Sequence, residues 1–223
     1  MNVPLLATNY NEIPDMQPRL ITLEGIDGAG KSTHLTTIRQ VLTDAGLPWL
    51  ETREPGGTPL AETLRSLVLS QPMTALSETL LMFAARHDHV ERVIGPALAR
   101  GQWVLSDRFV DASYAYQGGG RGVAEKQLVS LEAWVVGSLQ PDLTFWFDLD
   151  PDEARLRLNR GRGVGDRFEQ EQRDFFERVR GGYQRRFQER PDRLCVIDAG
   201  QAEVEVSAQV KQALEGRLIK WLR

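Results

Sequence analysis

Gly25-Ile26-Asp27-Gly28-Ala29-Gly30-Lys31-Ser32-Thr33 follows the apolar run Leu20-Ile21-Thr22-Leu23 and precedes a helical pattern. Gly25 and Gly30 bracket a four-residue gap, and Lys31 and Ser32 come next. Such spacing lets successive backbone N–H groups turn inward around a polyphosphate without interference from Cβ atoms. The stretch therefore reads as a phosphate-binding loop. Lys31 would reach the outer phosphates as a point charge, Ser32 would offer its hydroxyl to Mg²⁺, and the following helix would add the dipole of its N-terminus. A plain glycine-rich turn would not need the full pattern between a strand and a helix. Nucleotide binding is thus expected of Gly25, Ile26, Asp27, Gly28, Ala29, Gly30, Lys31, Ser32 and Thr33.

Outward from the loop, apolar runs predict strands at about residues 19–24, 49–53, 103–106, 143–147 and 194–197. Helical spacing is carried by Leu35, Ile38, Val41 and Leu42, then by Leu60, Leu64, Leu67 and Val68. A longer helix is expected to bury Leu76, Leu80, Phe83, His87, Val90 and Ile94 along one face. Gln117 to Gly122 is too glycine-rich for regular structure and reads as a loop. Further helices carry Leu128 and Leu131, residues 152–159, Phe175 to Phe187, and Val206 to Trp221. Alternating strands and helices make parallel βαβ units with right-handed crossovers the economical topology, one α/β domain over residues 19–223. Ligands then gather beyond the carboxyl ends of the strands. Residues 1–18, with three prolines and no periodicity, read as a disordered tail.

The chain has 223 residues, 27 Lys plus Arg against 31 Asp plus Glu, and a net charge of −4. No global basic field invites nucleic acid or an anionic membrane. The single cysteine, Cys195, excludes a disulfide framework. No apolar stretch approaches the roughly 18 residues of a membrane span, and no signal peptide is apparent. A soluble, cytoplasmic protein is expected. The histidines lack the spacing of a zinc site, and Trp103, Trp134, Trp146 and Trp221 read as packing residues.

A phosphate loop alone does not separate kinases, switch GTPases and mechanical ATPases. Asp107 is followed by Arg108-Phe109-Val110 rather than the x-x-Gly of a GTPase switch, and no Asn-Lys-x-Asp guanine reader occurs. Neither Asp107 nor Asp148 is followed by the Glu usual in motor ATPases. Arginines are instead spread over several elements. Arg53, Arg86 and Arg108 carry planar forks suited to a dianionic monophosphate, although each could equally pair with a local carboxylate.

Thr52-Arg53-Glu54-Pro55-Gly56-Gly57-Thr58, Phe83-Ala84-Ala85-Arg86, Asp107-Arg108-Phe109, Ala115-Tyr116-Gln117-Gly118-Gly119-Gly120-Arg121-Gly122 and Asp166-Arg167-Phe168-Glu169-Gln170-Glu171 follow the loop in order. Together they resemble bacterial thymidylate kinases, from about Arg19 to the C-terminus. The resemblance implies a three-layer P-loop kinase fold: a five-stranded parallel sheet with helices on both faces and a mobile lid at about residues 160–168. It further implies γ-phosphoryl transfer from ATP to dTMP with Mg²⁺, in a homodimer. Arg53 and Arg108 would hold the acceptor phosphate, Arg86 and Gln117 would read the pyrimidine edge, and Ser113 and Tyr116 would lie near base and sugar. Asp107, with Asp27 as a second candidate, would stand close to Mg²⁺.

Two departures from the family pattern matter. The stacking Phe generally precedes the base-reading Arg by four residues, where this chain has Met82; Phe83, on the same helical face, is expected to take the role. The phosphate loop also carries no arginine, so the lid would have to supply the cation that neutralises charge during transfer. Arg160, Arg162 and Arg167 are the candidates in an exposed basic segment, Arg162 foremost.

Overall fold

A computed structural model describes residues 17–159 and 166–221. The expected tail falls almost wholly outside the described residues, and so do Arg160 and Arg162.

Five parallel strands form one sheet in the order β2-β3-β1-β4-β5. They are β1 (Leu20–Glu24), β2 (Trp49–Arg53), β3 (Trp103–Asp107), β4 (Leu143–Asp148) and β5 (Leu194–Asp198). Central strand β1 is buried along its whole length, as expected where helices cover both faces of a parallel sheet. Leu20 and Val104 point into one apolar cluster, Ile21, Leu23 and Leu105 into the other. Leu23 pairs in register with both Asp107 and Phe145, which brings the carboxyl ends of β1, β3 and β4 to one level. The loops that follow these strands therefore share one edge of the molecule.

Helix α1 (Lys31–Asp44) leaves the phosphate loop, and α2 (Pro59–Ser70) starts where the Thr58 hydroxyl caps Ala61 N–H with Pro59 in the first turn. Helix α3 (Ala75–His89), capped by Thr74, continues through a π-helical turn (Val90–Ile94) into α4 (Gly95–Ala99). Its buried side is largely polar: Glu78, Thr79, Arg86 and His89 accompany Met82 and Phe83. Leu76 and Leu80 are about half exposed, at 50% and 48%, and His87 is exposed, contrary to the apolar face expected from spacing. Burial here follows hydrogen-bond pairing as much as hydrophobicity, and spacing of apolar residues alone does not register that.

The glycine-rich stretch is a loop only at Arg121 and Gly122; residues 117–120 are helical. After the short helix α5 (Val110–Ser113), residues Tyr114–Gly120 form a π-helical segment. It packs on α8 (Arg173–Glu189), where a Cβ on Gly182 would lie 2.7 Å from Ala115 Cα. The glycines permit backbone-to-backbone contact between the two helical segments. Helices α6 (Glu125–Val135), α7 (Pro151–Asn159) and α9 (Glu203–Trp221) complete the described elements. Trp103 and Trp146 are core residues as expected, but Trp134 on α6 is 84% exposed.

Candidate active site

β1 delivers the chain directly into the phosphate loop. Gly28 has φ of 85°, and a Cβ there would come within 2.6 Å of the Ala154 carbonyl oxygen, so only glycine lets the loop close on α7. Ile26 and Ala29 are buried, and both belong to the hydrophobic core. Helix α1 begins at Lys31 with no side-chain cap and no acidic residue in its first turn. Its free N–H groups and positive dipole end are thus left to an anion. Lys31 Nζ donates to the carbonyls of Gly25 (3.0 Å) and Ile26 (3.1 Å). Burial and Arg108 push its pKa down, against the pull of Asp107, Asp27 and Glu24.

Lys31, Ser32, Gly30, Asp27 and Asp107 line a cleft of about 290 Å³, which also meets Arg157 of α7. Asp107 Oδ1 is buried and has no hydrogen-bond partner among the described residues. No cluster of three or more His, Cys, Asp or Glu among the described residues could hold a metal ion unaided. Mg²⁺ commonly takes one or two carboxylates and completes its shell with phosphates and water. An unpaired carboxylate oxygen and a serine hydroxyl beside a phosphate cradle fit that demand.

A second cleft of about 120 Å³ adjoins the first and shares Asp27 and Glu169 with it. Arg65, Met82, Arg108, Tyr116 and Gln117 line it. Arg108 is the positive-φ non-glycine residue of the described chain, at 69°. The Leu23 carbonyl accepts from its N–H at 2.9 Å, and Ser106 Oγ donates to its carbonyl at 2.7 Å. Backbone strain of this kind costs about 1–3 kcal/mol and persists where the surroundings over-determine it. The result aims the guanidinium at Asp27 Oδ1 (2.8 Å) and Tyr116 Oη (3.1 Å). Burial opposes the charge on Asp27, yet Arg108 and Lys31 outweigh it and hold the carboxyl at about 2.

Arg65 has no signature in the sequence beyond membership of an amphipathic helix, yet it belongs to this site. Its Nη1 donates to the Pro55 carbonyl at 3.0 Å. Burial, then the neighbouring guanidiniums of Arg53 and Arg108, lower its pKa. Like charges drawn together at a cleft suit an anionic ligand.

The other expected residues are distributed as follows. Arg53 lines neither cleft; its side chain is 53% exposed, with both Glu62 oxygens accepting from Nη2 at 2.8 and 2.9 Å. Arg86 lies beneath the cleft rather than in its lining, donating to Glu54 (2.7 Å), Ser113 Oγ (2.9 Å) and the Phe109 carbonyl (3.1 Å). Glu54, also buried, accepts in addition from His89 Nδ1 at 3.0 Å. Phe83 is 1% exposed in the core, its ring 4.9 Å from the Arg86 guanidinium, and it does not line the cleft. Met82, in the register where the resemblance expects the aromatic ring, lines the cleft. Ser113 and Gln117 are fully buried, Gln117 in the cleft wall. Arg167 is not a solvated lid residue: it donates to Glu78 (2.6 Å) and to the Val68 carbonyl (2.9 Å).

A parallel sheet, an uncapped loop-to-helix phosphate cradle and an adjoining arginine-walled cleft define a P-loop phosphotransferase that presents a small acceptor to a nucleotide. Comparison with known proteins narrows the class. A profile of the family described as thymidylate kinase matches residues 23–210. A thymidylate kinase of Bordetella pertussis is 56% identical over 192 residues, covering 86% of this chain and 92% of that protein. One from Alkalilimnicola ehrlichii is 51% identical over 208 residues, covering 92% and 95%. The crystal structure of thymidylate kinase from Ehrlichia chaffeensis superposes with a TM-score of 0.71 at 32% identity, covering 88% of this chain and 98% of that one. The chain belongs to the thymidylate kinase family.

Proposed function

We propose that this protein transfers the γ-phosphoryl group of ATP to dTMP, giving ADP and dTDP. The observation that carries the reading is the adjacency of the two clefts across Asp27, with Arg108 bonded to that carboxylate from the acceptor side. ATP phosphates lie in the loop cradle, where backbone N–H groups, the α1 dipole and Lys31 spread their charge. Ser32 and Asp107 would hold Mg²⁺, which would supply further neutralisation of phosphate charge.

The attacking oxygen belongs to a phosphate already largely ionised near neutral pH, so no strong general base is needed. Arg108 and Arg65 bring that anion toward the donor, and Arg53 joins them on leaving Glu62. Apolar Leu69 and Met82 in the cleft wall suit a thymine ring and its methyl group. The Arg86 fork carries five N–H donors; three engagements beneath the cleft leave donors for the pyrimidine edge beside Gln117. Arg160 and Arg162 are assigned the neutralising role that the family gives to lid arginines.

Leu76, Leu80 and Trp134 supply an exposed apolar surface on α3 and α6, which pack on each other. We assign this surface to the contact of a homodimer. No helix among the described residues is long and apolar enough to cross a membrane, in keeping with a cytoplasmic setting. The test is ADP release with dTMP, dUMP, dCMP, dGMP or no acceptor. Strong stimulation by dTMP supports the assignment; preference for another monophosphate makes it a different nucleotide kinase, and silence with all makes it a binding module.

A further inference from the structure

We infer that Glu78 sets the base selectivity of the acceptor cleft by fixing which way the Gln117 amide faces. The inference rests on the reading above that a pyrimidine monophosphate occupies this cleft.

Glu78 is fully buried in the first turn of α3. Its carboxylate accepts from Arg167 Nη2 at 2.6 Å, from Arg121 Nε at 3.2 Å and from Gln117 Nε2 at 2.9 Å. A carboxylate gripped by two guanidiniums accepts hydrogen bonds and donates none. Gln117 must therefore offer its NH₂ to Glu78, since the flipped amide would set oxygen against oxygen. The amide oxygen is left over. It is buried, belongs to a residue of the cleft wall, and has no partner among the described residues.

A buried carbonyl without a donor is costly, so the ligand that supplies an N–H at that point gains and one that brings a lone pair loses. Thymine and uracil carry N3–H. Cytosine presents an unprotonated N3, an acceptor facing an acceptor. Glu78 does not line the cleft; it is a positioning residue, and its effect passes through Gln117.

The test compares kcat/KM for dTMP and 5-methyl-dCMP, which share the ring methyl and differ only at positions 3 and 4. Glu78→Gln gives Gln117 a neighbour that can donate or accept, so the amide can turn. The dTMP to 5-methyl-dCMP ratio is expected to fall at least about tenfold. Glu78→Asp keeps an accept-only carboxylate, and the ratio is expected to stay within about threefold of wild type even where KM rises. A purely structural role moves both substrates together and leaves the ratio unchanged in Glu78→Gln, which overturns the inference. Should Glu78→Gln fail to fold by circular dichroism, Gln117→Met decides, because the effect of Glu78 passes through that amide: the ratio is expected to fall at least about tenfold, and an unchanged ratio overturns the inference. Wild-type protein that ignores dTMP altogether sinks the acceptor reading instead, so the two failures are distinct.

Discussion

Arg108 Nη2 lies 2.8 Å from Asp27 Oδ1, tying the side chain that follows β3 to the tip of the phosphate loop. The two clefts are in that way joined at one ion pair, and Asp27, held at about 2, stays ionised at neutral pH. Replacing Arg108 by Ala is expected to lower kcat/KM for dTMP by about 10²-fold or more, with a smaller change in KM for ATP. Steady-state kinetics with each substrate varied in turn measure this. An unchanged kcat/KM for dTMP removes Arg108 from the acceptor site.

Lys31 is expected to act on the chemical step. Lys31→Ala should reduce kcat by about 10²- to 10³-fold while stability changes by about 2 kcal/mol or less. Rate and urea midpoint measured on the same preparation separate the two effects, and wild-type turnover would show that the ammonium does not bear on transfer.

Much of this was legible in the sequence because local chemistry dictated it. The strands were set by apolar runs, and the loop by glycines that only a cradle requires. What was not legible is the pairing of buried polar groups. Glu78 and Arg86 occupy positions of α3 that spacing assigns to no apolar face, yet both are fully enclosed because partners from distant segments reach them. Phe83 and Met82 are adjacent, and only the packed helix shows that the first enters the core and the second the cleft. Arg65 is drawn into the site by the Pro55 carbonyl, a contact with no signature in spacing. Trp134 illustrates the converse, an aromatic residue whose exposure only the fold reveals.

The two carboxylates that engage Arg86 and Arg53 should respond differently to removal. Glu54 and Arg86 are buried at 2% and 1% side-chain exposure, so Glu54→Ala leaves an uncompensated charge and is expected to cost about 3–5 kcal/mol. Glu62 and Arg53 are exposed at 42% and 53%, and Glu62→Ala should cost about 1 kcal/mol while lowering KM for dTMP by releasing Arg53. Denaturant titration and acceptor kinetics check both. Equal destabilisation by the two variants contradicts the distinction drawn from burial.

Glu24 gives a pH dependence of stability. It is fully buried, accepts from Phe109 N–H (2.7 Å) and Tyr183 Oη (2.8 Å), and burial, with Asp111 adding to it, raises its pKa from 4.5 to about 8. The folded state thus binds this proton more tightly than the unfolded chain. The associated stability is present below about 4.5 and is lost as pH rises through about 8. Glu24→Gln should flatten that decline relative to wild type, by at most about 1.4 kcal/mol per pH unit. His34, whose protonation burial disfavours, contributes an opposite slope common to both proteins. Parallel slopes for the two proteins between pH 5 and 8 would remove Glu24 as the source.

If Trp134 and Leu80 lie in a subunit contact, a charge at each should separate the subunits. The double variant Leu80→Glu/Trp134→Glu is expected to sediment as a monomer, with wild type a dimer at micromolar concentration. A wild-type monomer, or a variant that remains dimeric, shows that this surface serves another purpose.

The central assignment is tested most directly by following the transferred group. The intact protein is incubated with γ-labelled ATP, Mg²⁺ and dTMP, and the label is located by chromatography. Label in dTDP, equimolar with ADP and absent without dTMP, is the expected result. Label released as inorganic phosphate, or ADP formation indifferent to dTMP, contradicts it.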